Sequence, residues 1–240
     1  MKTNITNSNT TNYIKPFLLQ AFFAFVFSCF TFTITYAGII KRGSTRTATT
    51  SNSSLLIYKP SGVLPGDVMI INLAYEGANS PSLTGWTIIS EKSPGSGRYG
   101  AVLYKIAQSN EPAYYIFSLG SGGDNGVASL MAFAGVDITG NNPFDLAPGT
   151  INTANSNTAT ATSITTVSAG AAVIMLTQEV GSGRSWSNWS ATNLGTLTEI
   201  ADARKSGDAS VGAAWKISNS AAATGNGTAT LSGSQQNGAI

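Results

Sequence analysis

The stretch that most constrains this chain is Asp67–Tyr75, entered through Pro60-Ser-Gly-Val-Leu-Pro-Gly66. Two prolines and two glycines within seven residues force a bend. Val68, Met69, Ile70, Ile71, Leu73 and Tyr75 then follow almost without a polar break. An apolar run of strand length, rich in β-branched residues and bounded by turn signals, predicts a strand covered on both faces. Trp86 after Gly85 opens a second strand, and Tyr99–Ile106 a third.

The same pattern recurs along the chain. Leu55–Tyr58 predicts a short strand. Ala113–Leu119 alternates, with Tyr115, Phe117 and Leu119 on one face. Gly120-Ser-Gly-Gly-Asp-Asn-Gly126 predicts a turn. The apolar run Val127–Val136 suits a central strand beside Val68–Tyr75. Ala171–Glu179, Thr196–Ala203, Ala209–Ile217 and Ala223–Ser232 predict further strands, with Arg204–Asp208 as a hairpin turn. Residues 151–163, rich in Ala, Thr, Asn and Ser, read as a loop entering a strand, and 181–193 as a polar loop. Turn signals recur roughly every 8–15 residues, and no window carries a helical period. The expected fold is therefore all-β: a single antiparallel β-sandwich of jelly-roll type with about ten strands. No internal repeat is visible in the sequence.

Composition narrows the function classes. Only 10 % of residues are charged, against about 25 % in ordinary globular domains. Short hydroxyl and amide side chains solvate the surface instead, a balance common in extracellular β-proteins. Lys2 and Lys15 fall in the N-terminal segment; without them 11 basic residues face 11 acidic ones. A neutral domain lacking a basic stripe is a poor nucleic-acid partner. There is no histidine, hence none of the commonest general base or transition-metal ligand. Cys29 is the one cysteine, so no intrachain disulfide forms and no cysteine zinc site exists. No Gly-x-Ser-x-Gly occurs, and the glutamates are scattered. These features point away from an enzyme.

Residues 1–16 are polar and hold both lysines. From Phe17 the chain turns apolar and reaches Thr35-Tyr36-Ala37. A cationic lead, an apolar core and a small-x-small site predict a signal peptide over 1–37, and hence a secreted or cell-surface protein. The alternative is a retained anchor, the chain's single membrane contact, because the apolar stretch is long enough to span. Residues 38–54 read as a Thr/Ser-rich lead or edge strand, and 55–240 as the sandwich domain.

Pro60-Ser-Gly-Val, Gly66-Asp-Val-Met-Ile, Gly85-Trp86, Tyr104-Lys-Ile-Ala, Ala134-Gly-Val-Asp137 and Ala229-Thr-Leu-Ser-Gly together resemble a β-sandwich module of bacterial surface and phage-tail proteins. The likeness runs over most of residues 40–240. It implies a structural or adhesive module without catalytic residues or cofactor. In that family several apolar residues follow the position matching Ile240.

Gly85-Trp86 and Trp215 read as core. Trp186 and Trp189 lie in an otherwise polar stretch with Arg184 and Asn188. They are either a plug over the end of the sandwich or a stacking platform for a surface glycan. Asp137, Asn141 and Asp145 offer oxygens in one loop, a possible calcium site. Ile39, Ile40 and Ile240 are apolar residues at the two ends of the domain. A sandwich lacking part of one strand exposes core and backbone there, which a neighbouring copy could fill by strand addition and so build a filament.

Overall fold

The computed structural model describes residues 38–240 apart from Ser96, Ser121 and Gly123. The expected signal segment lies outside the described residues. Among these, fifteen strands and one short 3-10 turn, Thr139–Asn141, make up the regular structure. The all-β antiparallel expectation holds. The strand number exceeds ten because short edge strands and two segments read as loops are also paired.

One sheet runs β1 (Ile40–Lys41) and β2 (Arg46–Thr50), both on β8 (Asp124–Ala134), then β4 (Val68–Glu76), β6 (Arg98–Ile106) and β5 (Thr87–Gly95). A second runs β12 (Gly195–Thr196), β11 (Trp186–Ala191), β15 (Gly227–Ala239), β10 (Ala172–Val180), β14 (Ala209–Ile217) and β13 (Thr198–Lys205), with β9 (Asn152–Ala161) on β15. A third sheet pairs β3 (Ser54–Tyr58) with β7 (Tyr114–Ser118).

The central strands are buried on both faces, as the unbroken apolar run requires. Met69, Ile71, Leu73 and Tyr75 of β4 face one way, onto Leu55, Ile57, Tyr115 and Phe117 of the small third sheet. Val68 and Ile70 face the other way, with Met131 and Phe133, against Leu176, Ala201 and Ala213 of the second sheet. Trp86 closes the first core, its ring edge-on to Tyr115 and Phe117, with both centroids 5.2 Å away. Gly85, in the turn from Leu83 to Trp86, has φ +83, a conformation a side chain would strain.

The two large sheets are built on one plan. Val68–Ile106, Ile70–Tyr104 and Asn72–Val102 on β4 and β6 recur as Ala172–Ile217, Ile174–Trp215 and Leu176–Ala213 on β10 and β14. The bulge between Ile88 and Ser90 on β5 recurs between Glu199 and Ala201 on β13. Leu73–Ala128 recurs as Thr177–Ala239, and Ala48–Ala128 as Asn152–Ala239. In the second half β9 does the work of β2 and β3 together, and β15 that of β7 and β8. The chain thus repeats one strand plan in its two halves, which the sequence reading missed. Its clearest trace is Tyr104-Lys-Ile-Ala107 against Trp215-Lys-Ile-Ser218. Elsewhere the buried positions differ: Leu55 and Ile57 in the first half answer to Ala159 and Ala161 in the second.

Candidate functional site

Trp186 and Trp189 lie on β11, not in a polar loop. The two residues are 2 % and 4 % exposed. They fill the space that Ala159, Ala161 and Ala229 leave over Met175 and Ala214. Trp186 Nε1 donates to Ser210 Oγ at 3.1 Å, and Trp189 Nε1 to Glu199 Oε2 at 2.7 Å. Buried rings with satisfied N–H groups offer no face to a sugar, so the platform reading is corrected: both rings are core. The polar residues around them misled because a bulge breaks the alternation of β11, sending both Ser187 and Asn188 outward and returning Trp189 to the core. Asn188 is exposed at φ +54 within the β11 bulge, and Arg184 lies against Gly233 of β15.

Asp137 and Asp145 take separate partners. Asp137 Oδ1 accepts from Thr139 N at 2.9 Å and Thr139 Oγ1 at 2.7 Å. Asp145 Oδ2 accepts from Val167 N at 2.7 Å and Ser168 N at 3.3 Å. Asn141 closes the 3-10 turn with φ +62. These are turn-capping roles, and among the described residues no group of three acidic, His or Cys side chains is placed to hold a metal ion.

The ends of the domain are paired within the chain. Ile40 faces Ala134 across β1–β8, and β2 continues the same edge. Ile39 packs against the core between the large sheets. β15 is one strand of 13 residues that runs on to Ala239, past Ser232 where the sequence reading ended the last strand. Ile240 exchanges two backbone hydrogen bonds of 3.0 Å with Leu176 and packs on the same core. Donation of residues 38–54 to a neighbour would first have to strip β1 and β2 from β8.

One exposed apolar face is a surface the sequence reading did not single out. On the third sheet Leu56, Tyr58, Tyr114 and Ile116 point outward, between 43 % and 60 % exposed. Leu56 sits directly across from Ile116, and Tyr58 from Tyr114, with ring centroids 6.0 Å apart. Beside this face runs an open edge. Lys59 N bonds Ala113 O, and Leu119 N bonds Ser53 O, so odd-numbered residues of β7 face β3. Ser118 turns the other way and exchanges bonds with Ser82 at 2.9 and 3.1 Å. Tyr114 and Ile116 share that direction, and among the described residues no strand pairs with them there. In the second half β11 covers the corresponding edge of β15. The alternation Leu56/Ile57 and Tyr115/Ile116 was the available signal: both strands are apolar on both faces.

At the foot of this sheet Glu111 receives Tyr115 Oη at 2.6 Å, Lys105 Nζ at 2.9 Å and Gln108 N at 2.9 Å. Burial pushes the Glu111 carboxyl up, but these three donors outweigh it and hold it below the usual range. Burial and the carboxylate push the Tyr115 phenol up. A lowered carboxyl stabilises the fold above about pH 4 and loses that contribution as pH falls through its folded value. Glu111→Gln is therefore expected to cost stability near neutrality, with the gap to the parent protein closing toward about pH 3. Urea midpoints across that range check this, and a constant gap would contradict it.

Comparison with family models, curated proteins and solved structures finds no match to this chain.

Proposed function

We propose that this chain is a secreted, non-enzymatic structural or adhesive module that associates with copies of itself through the third sheet. The observation that carries this reading is the joint exposure, on β7, of an apolar face and an unpaired backbone edge. Natural sheets avoid leaving such an edge bare and apolar. A neighbour's extended segment added beside Tyr114 and Ile116 gains backbone hydrogen bonds, and its alternate side chains extend the apolar face alongside those two residues. The second half supports the geometry, since β11 occupies the matching edge from within the chain. The low charge and hydroxyl-rich surface support an extracellular setting. Repeated head to tail, such a contact does not close and yields a filament.

The test removes one hydrogen-bond donor. The Ile116 N–H faces away from β3, so Ile116→Pro leaves the β3–β7 ladder with its bonds. Sedimentation of the parent protein is expected to show concentration-dependent oligomers, and the variant a monomer with its far-ultraviolet spectrum retained. Leu56→Lys, which charges the face and leaves the edge, is expected to weaken association as well. A parent protein monomeric at all concentrations overturns self-association. Glycan-array binding that falls when Tyr58 and Tyr114 become alanine would instead assign the face to a sugar.

A further inference from the structure

A second feature lies where the two large sheets meet, away from the third sheet. Lys205, the last residue of β13, reaches across to β8 and donates through Nζ to Oδ1 of Asn125. The other end of that carboxamide is held too: Asn125 Nδ2 donates to Glu76 Oε2, on the last residue of β4, at 2.7 Å. Asp208 Oδ2 lies 2.7 Å from the same Nζ. Asn125 has φ +45, beside the register shift between Ala74 and Glu76. Ala74, Val127, Val180, Ala203, Ala209 and Val211, close by on the same or neighbouring strands, form an apolar floor. The Lys205 side chain is 19 % exposed and that of Asp208 26 %. The amine therefore meets the carboxamide on a partly dry ledge, with one carboxylate on each side. Asp124, across from Glu76, and Arg98, paired with Glu76 on β6, are the other charged residues in register here.

We propose that Lys205 and Asn125 form an intramolecular amide bond that covalently joins the two halves of the chain. An amine, a carboxamide carbon and a proton-shuttling carboxylate are the parts this condensation needs, and holding them together replaces an encounter in solution. The ammonium of Lys205 gives one proton to Asp208, and the freed amine attacks Cγ of Asn125. The new Nζ–Cγ bond forms, and a second Nζ proton passes through Glu76 to Nδ2. The Cγ–Nδ2 bond then breaks, ammonia leaves, and the proton on Asp208 converts it to ammonium. Overall, a lysine ammonium and a carboxamide become a secondary amide and an ammonium ion. No redox step and no cofactor enter.

The experiment is intact-mass measurement and tryptic mapping of the purified protein. The expected result is a chain lighter than its sequence by one ammonia. A branched peptide should join the segment bearing Asn125 to that bearing Lys205, and trypsin should not cleave after Lys205. Lys205→Arg and Asn125→Ala are expected to restore the full mass and separate the two peptides. Glu76→Gln, which keeps the amine and carboxamide, is expected to leave them unjoined. Asn125 precedes Gly126, and a succinimide there also sheds ammonia. It would leave Lys205 open to trypsin and persist in Lys205→Arg, and that outcome overturns the proposal. So does a parent protein of full sequence mass that trypsin cleaves at Lys205. Self-association is read separately by sedimentation, so either idea can fail alone.

Discussion

Replacing Trp186 and Trp189 together by alanine is expected to abolish cooperative unfolding of the domain at room temperature. Truncating one buried tryptophan costs about 3–5 kcal/mol, and whole domains are stable by about 5–15 kcal/mol. The alanines beside the rings, Ala159, Ala161 and Ala229, are too small to close the gap, which leaves Met175, Leu197 and Leu231 to fill only part of it. The loss also removes the indole donors that now serve Glu199 and Ser210. Gly212 shows how close the fit is: a Cβ there would lie 2.6 Å from Trp189 Cζ2. Urea titration of the double variant, followed by far-ultraviolet dichroism, checks this. A transition within 1 M of the parent midpoint, about the stability spanned by one molar of urea for a small domain, would show that the rings are not part of the core.

The second large effect is expected at Asn72, fully buried between the two large sheets. Its amide donates to the carbonyls of Thr177 and Gly212, each at 3.0 Å, and its Oδ1 accepts from Gln178 Nε2 at 2.5 Å. This one side chain stitches β4 to β10 and β14. Asn72→Leu has nearly the right size and greater apolarity, yet it leaves a buried amide and two carbonyls facing hydrocarbon. Each unmet group costs about 1–3 kcal/mol, so the variant should lose roughly 3 kcal/mol or more despite its added hydrophobicity. Pairing it with Gln178→Leu should recover part of the loss, because the stranded amide goes with it. A single variant as stable as the parent would contradict the bridging role.

The strands legible in the sequence were those whose side chains do the packing. Val68–Glu76 and Asp124–Ala134 carry Leu, Ile, Met and Phe on two faces, and both were read as central and paired. Strands held mainly by their backbones were not legible. Residues 152–161 pair along β15 almost throughout, yet the sequence is Asn-Thr-Ala-Asn-Ser-Asn-Thr-Ala-Thr-Ala, which periodicity reads as loop. Trp186 and Trp189 failed for a different reason: many of the residues that receive them are alanines distant in sequence, such as Ala159, Ala161 and Ala229, and small partners leave little apolar signal. The face of the third sheet was missed because outward Leu56 and Ile116 look like core when only composition is read. Asn125 and Lys205 are 80 residues apart, and no local pattern connects them.

The shared plan of the two large sheets bears on how the chain reaches its fold without error. Two ladders of the same register within one polypeptide invite exchange: β6 could pair where β14 belongs, or a strand of one molecule could enter the sheet of another. Most pairings here also join residues distant in sequence, which slows folding and prolongs exposure to such mistakes. The unequal cores act against this. A strand carrying Leu55 and Ile57 cannot occupy the place of Ala159 and Ala161 without colliding with the two indoles, and the alanine strand in the first half would leave a void beside Trp86. Divergence in side-chain volume, with the backbone plan kept, thus serves as an address label telling each strand which of two look-alike sheets to join.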